Sequence, residues 1–243
     1  MERIKRAIFL AAGEGRRLRP VTLEMPKPLI KVHGKRMIDR SLEALNEYGI
    51  DEIYLVVGYK KEKFEEIYGN DPRIHFIENP DYQKGNNISS LYWARNYLPG
   101  AFVLEADLII KDAAILNPEI EKSGYLASWM DYTTEWVLTV QAGRIINYET
   151  AAAGPGYRLW GVSVWNQRDG KRLAEDIARE YEAGNWGIFW DEVALNRCRE
   201  TYDLGIREIC SDAILEIDTF KELVTADNSY ESYKEKRDEN CGE

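Results

Sequence analysis

Residues 10–29 read L-A-A-G-E-G-R-R-L-R-P-V-T-L-E-M-P-K-P-L. The apolar run A-I-F-L-A-A over residues 7–12 leads into this stretch. A short apolar run that ends in glycine predicts a buried strand opening into a loop. Gly13 and Gly15 then place bare backbone N–H groups around a bend, an arrangement that binds phosphate oxygens. Glycine matters there because a Cβ would hold the ligand off the backbone. Arg17 and Lys27 add mobile positive charge. No Gly-Lys-Ser/Thr follows, which excludes a Walker loop. A dinucleotide fingerprint lacks its third glycine, and Pro20 falls where its helix would run.

Outward from this loop, strands are predicted at residues 52–57, 74–77 and 101–105, and helices at 37–48, 61–68 and 89–97. Gly49 stops the first of these helices as a C′ glycine would. The alternation implies an α/β fold: a Rossmann-like, doubly wound, mostly parallel sheet with helices on both faces. Ligands in such sheets bind beyond the carboxyl ends of the strands, where both Gly13 and Asp107 lie. In the second half, strands are expected at 125–129, 135–141, 145–148, 159–165 and 206–210, and helices at 169–181 and 191–199. One domain over residues 1–227 is expected, with a small acceptor-binding subregion. A charged tail, 228–243, is either a terminal helix or frayed.

The chain has 243 residues and a formal net charge of −10. That acidity lacks the electrostatic footprint of a nucleic-acid binder. A basic cluster survives near the start (Lys5, Arg6, Arg16, Arg17, Arg19, Lys27, Lys31, Lys35 and Arg36) and suggests a small anionic ligand. Cys198, Cys210 and Cys241 have neither metal-ligand nor disulfide spacing, and a reducing cytoplasm is the default. No stretch approaches a membrane span, and no membrane partner is expected.

Transfer between phosphates gathers negative charge that magnesium offsets, using hard oxygens and one or two protein carboxylates. Asp107 follows a strand, and Glu216 and Asp218 point the same way if their stretch is extended. Asp107 could equally be a turn aspartate and Glu216 a surface ion pair. His33 and His75 are given no role.

The whole run, G-x-G-x-R-x-x-P-x-T followed by P-K-P-L, closely resembles the sugar-phosphate nucleotidyltransferase superfamily. The likeness continues through V-V-G-Y at 56–59, the Asp107 loop and E-I-D at 216–218, and so covers most of the chain. The later half is similar to the choline-phosphate cytidylyltransferases of bacterial surface-decoration pathways. The segments concerned are N-N-x-x-S-L-Y at 86–92, T-E-W at 134–136, G-V-S-x-W at 161–165, W-D at 190–191 and again E-I-D. These are less specific than the glycine loop.

The resemblance implies magnesium-dependent transfer of CMP from CTP to phosphocholine by direct in-line attack, giving CDP-choline and pyrophosphate. Arg17 and Lys27 would contact the NTP and acceptor phosphates. Leu10, Ala11, Ala12, Gly13, Gly15, Gly58, Asn86 and Asn87 would form the nucleotide site. Asp107 and Asp218 would hold Mg2+ with Glu216 as helper, and Trp136, Trp190 and Asp191 would face the acceptor's amine. A quaternary ammonium is best held by aromatic faces and a nearby carboxylate, although Trp136 and Trp190 could equally be core residues. Asn86 and Asn87 could read the base or ribose, hold the acceptor, or merely form a turn. The alternatives are the same chemistry on 2-aminoethylphosphonate, phosphoethanolamine or a sugar 1-phosphate, or a non-catalytic nucleotide-binding regulator. A monomer or homodimer is expected.

Overall fold

The computed structural model describes residues 1–234. Strands β1 (Arg6–Leu10), β2 (Glu52–Val57), β3 (Ile74–Glu78) and β4 (Ala101–Glu105) run parallel in the order β3-β2-β1-β4. β1, β2 and β4 are buried on both faces, as strands covered on two sides are, whereas β3 at the edge exposes His75 and Glu78. Phe9, Leu55 and Leu104 meet α1 (Met37–Glu47) and α2 (Lys61–Tyr68) through Ile38, Leu45 and Phe64. Ile8, Val56 and Val103 point the other way. They pack on α3 (Ile88–Ala94), α4 (Gln167–Glu182) and α5 (Trp190–Leu195) through Leu91, Ile177 and Val193. Gly49, at φ 67°, closes α1 in the left-handed region that glycine tolerates. The chain leaves β1 for β2 and β3, then returns to β4 on the opposite side of β1. The crevice at the carboxyl ends of β1 and β4 is therefore the switch point where such sheets bind ligands.

The second half extends the sheet with antiparallel pairs. It adds β5 (Gly124–Thr133), β6 (Val137–Gln141), β7 (Arg144–Glu149), β8 (Gly154–Trp165) and β9 (Gly205–Glu208). β8 lies against β4 and β6 on one edge and against β5 on the other, and β9 runs parallel to β5. β5 and β8 are longer than their apolar cores predicted, because backbone pairing continues where exposed Trp129 and Tyr132 face solvent. The helix expected over 191–199 ends at Leu195, after which the chain turns to bury Cys198 and Tyr202.

A ribbon of Leu108–Ile110 with Ile214–Glu216 sets Glu216 opposite Leu108, which carries Asp218 to the Asp107 loop. Beyond it, α6 (Phe220–Ala226) begins with a reciprocal cap between Thr219 and Glu222. Phe220 and Leu223 join Leu18, Val21 and Ile30 in a separate apolar cluster beneath the glycine loop. The tail read from Asn228 starts as a 3-10 turn, Asn228–Tyr233, whose Tyr230 hydroxyl donates to the Lys31 carbonyl at 2.7 Å. Residues 235–243 of that tail lie outside the described residues.

Candidate active site

The glycine loop uses its two glycines differently. Gly15 sits at φ 60°, and a Cβ there would lie 3.0 Å from Lys27 Cβ and 3.1 Å from Thr22 Cγ2. A Cβ on Gly13 would meet nothing within 4 Å, so that position opens onto free space. The Thr22 hydroxyl donates to the Gly15 carbonyl, and Glu14 accepts from Arg16, Arg19 and Gln83, pinning the loop. Gly15→Ala is therefore expected to lower the melting temperature by several degrees, from roughly 1–2 kcal/mol of left-handed strain. Gly13→Ala should melt like the wild type and lose nucleotide affinity. Thermal melts with and without CTP check both. Equal melting of the two variants would contradict this division.

Beside the loop lies a charged centre. Lys27, 7% exposed, donates from Nζ to Asp107 Oδ2 at 2.6 Å and to Asp218 Oδ1 at 2.8 Å. Arg17 reaches the same Asp218 oxygen at 3.0 Å. Burial alone would lower the Lys27 ammonium's pKa, but the two aspartates outweigh it and hold the group charged. Burial likewise pushes Asp218 up, and Lys27 and Arg17 more than reverse this, leaving it below the ordinary value.

Glu216, expected as a helper to the metal pair, accepts a hydrogen bond from Arg158 at 2.5 Å, and that guanidinium lies over the Trp160 ring at 4.0 Å. Burial, then Asp107 and Asp218, push Glu216 up to about 7. The donor set fits a hard divalent cation. Asp107 Oδ1 is buried without a hydrogen-bond partner, aimed where an electropositive atom is wanted. No cluster of three metal-ligating side chains occurs among the described residues.

The centre opens into a cavity of about 500 Å³. Its walls carry Leu10, Ala12, Gly13, Arg17, Asn86, Asn87, Asp107, Trp136, Trp190, Asp191, Glu216 and Asp218, so most residues singled out from the sequence meet here. Ala11, Gly15 and Lys27 line an adjoining recess of about 180 Å³ that shares Gly13, Arg17, Asp107 and Asp218. Gly58 lines neither: a Cβ on it would lie 2.8 Å from the Tyr82 ring, so its part is to let Tyr82 pack, and Tyr82 forms the wall.

The far end of the cavity is built by α3 and α5. Asn87 Oδ1 accepts from the Trp190 backbone N–H at 3.0 Å, and the Asn86 N–H donates to the Trp186 carbonyl at 2.8 Å. Gly85 permits that approach, since a Cβ would stand 2.2 Å from the same carbonyl. Trp136 is half-buried, edge-on to Phe189 at 5.2 Å and stacked on Tyr148 at 5.7 Å. Trp190 reaches the cavity, yet it is 3% exposed and neighbours Tyr125 and Trp165 at 6.1 Å each, so most of its ring is core. Burial pushes Asp191 up to about 7, against the pull of its backbone N–H and the Tyr125 hydroxyl.

Sequence reasoning gave no role to Glu105 or Tyr82, both of which line the cavity; Phe189, expected with Trp190 and Asp191 as part of the aromatic and acidic set around a choline head, lines it too. Glu105 had one available signal, its place two residues before Asp107 at the end of an apolar strand.

Comparison with known proteins matches this geometry. The MobA-like NTP transferase domain matches residues 7–156. The chain is 37% identical to a 2-aminoethylphosphonate cytidylyltransferase of Lancefieldella rimae, over 92% of each chain. It is 32% identical to a choline-phosphate cytidylyltransferase of Streptococcus pneumoniae, over 89% of this chain and 94% of that one. The solved CTP:phosphocholine cytidylyltransferase LicC from Streptococcus pneumoniae superposes with a TM-score of 0.85 at 28% identity, covering 94% of this chain and 99% of that one. With its glycine loop, paired aspartates and one continuous cavity, this enzyme belongs to the nucleotidyltransferases of the MobA-like NTP transferase family, among their cytidylyltransferases.

Proposed function

We propose that the enzyme transfers CMP from CTP to a small acceptor with a phosphate or phosphonate at one end and a cationic nitrogen at the other. One observation carries this reading. A single cavity joins the glycine loop and the Arg17–Asp218–Lys27 centre to an end lined by Trp136, Phe189 and Asp191. Anion chemistry lies at one end of the cavity and cation chemistry at the other. Relatives named for phosphocholine and for 2-aminoethylphosphonate fit the same description. The rings of Trp136 and Phe189 favour phosphocholine, because a trimethylammonium has no N–H to donate and binds aromatic faces. The carboxylates around them equally suit the primary ammonium of 2-aminoethylphosphonate.

In the reaction, Arg17 and Lys27 meet charge on the phosphates. An acceptor oxygen bonds to the α-phosphorus as the α–β bridging bond breaks, and pyrophosphate leaves with the electron pair. No protein nucleophile is required. Asp107 and Asp218 would hold magnesium, which neutralises charge on the reacting phosphates when bound. Pyrophosphate release should be measured with four NTPs crossed against phosphocholine, 2-aminoethylphosphonate, phosphoethanolamine and glucose 1-phosphate. CTP with a nitrogen-bearing acceptor is expected to be fastest. Preference for glucose 1-phosphate would reject the acceptor class.

Asp191 gives this reading a pH signature. Its folded-state value of about 7 lies above the ordinary carboxyl value, so the folded form holds a proton that the unfolded chain has lost. Stability should therefore fall as pH rises from roughly 4 to 7 and level off above that. Asp191→Asn should reduce this trend in melting temperature, leaving the part that Glu216 contributes over the same range. As Asp191 ionises, the KM for the cationic acceptor should fall while that for CTP stays level. An acceptor KM independent of pH between 6 and about 8 would remove Asp191 from the acceptor end.

A further inference from the structure

Glu105 ends β4 and lines the cavity floor. Among the described residues its carboxylate makes no hydrogen bond and no ion pair. The side chain is only partly covered, and its open side is the cavity. Its room is made by the neighbouring strand. Val162 of β8 pairs with Leu104, which brings Gly161 alongside Glu105. A Cβ on Gly161 would lie 2.6 Å from Glu105 Oε2 and 2.8 Å from both Cδ and Cγ. Glycine inside a strand weakens it and often marks close approach by another group. The glycine in β8 thus makes room for a carboxylate in β4 that faces the cavity.

The surroundings state what the carboxylate is for. Glu105 shares the wall of one cavity with Asp107, Glu216 and Asp191. A cation brought there relieves all four groups. An acceptor with a two-carbon spacer keeps its nitrogen close to its own phosphorus. Its counter-charge must then be within reach of both the reacting phosphates and the Trp136, Phe189 and Asp191 end, and Glu105 lines the same cavity as Asp107 and Asp191.

We propose that Glu105, seated over Gly161, is the specificity-determining residue that recognises the acceptor's cationic nitrogen. This rests on the acceptor class proposed above.

The test compares wild type, Glu105→Gln and Glu105→Asp on 2-aminoethylphosphonate, phosphocholine and n-propylphosphonate, which matches the first in shape but has no nitrogen. Wild type should favour the nitrogen-bearing acceptors in kcat/KM. In Glu105→Gln their KM should rise about ten- to a hundredfold, the loss expected for one charge-assisted contact. The KM values for n-propylphosphonate and CTP, and the magnesium dependence, should stay put. Glu105→Asp keeps the charge and should recover part of the loss. Glu105→Gln should also melt no lower than wild type, since Glu105 makes no hydrogen bond or ion pair among the described residues that the substitution would break, whereas a structural residue would lose stability.

Undiminished discrimination in Glu105→Gln overturns the assignment, as does an equal loss for all acceptors accompanied by a shifted magnesium dependence. If Glu105→Gln does not fold, Glu105→Asp decides: discrimination equal to wild type overturns the proposal, and reduced discrimination supports it. A wild type indifferent to the nitrogen overturns the acceptor class itself, and this assignment with it. That outcome is separable, because it needs no variant.

Discussion

Asparagine at position 107 is expected to leave a folded enzyme whose turnover is at least a hundredfold down. Asp107 spends one oxygen on Lys27 and keeps the other buried without a partner. The amide has the same shape but no charge. Its oxygen will turn to the Lys27 ammonium, because an N–H there would face another donor. The amide nitrogen then occupies the partnerless position and presents hydrogens where an acceptor is needed. Losing one well-aimed electrostatic contact at such a centre costs on the order of a hundred- to a thousandfold in turnover. The half-saturating magnesium concentration should rise as well. Stability should change little, because Lys27 retains Asp218. Asp218→Asn should behave similarly, with a further loosening of Arg17. Rates across a magnesium titration, alongside melting curves, decide the matter. Near-native turnover with an unchanged magnesium dependence in both variants would remove the aspartates from the reaction centre.

Which parts of this centre the sequence reveals depends on how local their physics is. The parallel half was legible because a strand buried on both faces leaves an uninterrupted apolar run, and β2, α2 and β4 fall where their runs begin and end. The glycine loop was legible because the turn and its phosphate-binding amides are made by neighbours in the chain. The Lys27 triad was not, because its partners lie 80 and 191 residues away and meet only once the Leu108–Ile110 ribbon forms. Glu216 and Gly58 have neighbours that no nearby stretch of sequence announces. An Arg158 contributed by β8 engages the first, and a Tyr82 ring explains the second. Trp190 shows why aromatic residues near a site are ambiguous. One ring fills the core between Tyr125 and Trp165 and still reaches the cavity with an edge. The significance of Gly161 is visible only in the ladder that sets it beside Glu105.

Methionine at position 27 is expected to cost more than a hundredfold in activity and to make folding depend on magnesium. Methionine keeps the apolar stem that packs against Gly15 and removes only the ammonium. The charge that gathers on the phosphates then loses a donor, which sets the kinetic loss. Asp107 and Asp218, which the ammonium now bridges, face each other with only Arg17 at the solvent edge to offset them. Removing one partner of a largely buried ion pair destabilises by on the order of 3 kcal/mol, because the other charge stays buried. In wild type the Lys27 ammonium is held above its ordinary value, so its contribution is fully present at neutral pH and fades only in strongly alkaline solution. In the variant Asp218 loses the ammonium that holds it below its ordinary value and should titrate higher than in wild type. The folded form then binds protons that the unfolded chain has lost, and the stability deficit narrows as pH falls toward roughly 5. Magnesium should narrow it at pH 7 by supplying the missing charge. Melting temperatures of wild type and Lys27→Met, at both pH values and with and without magnesium, test each part. A deficit indifferent to both pH and magnesium would mean that Lys27 stabilises by packing alone, and turnover near the wild-type rate would remove it from the phosphate site.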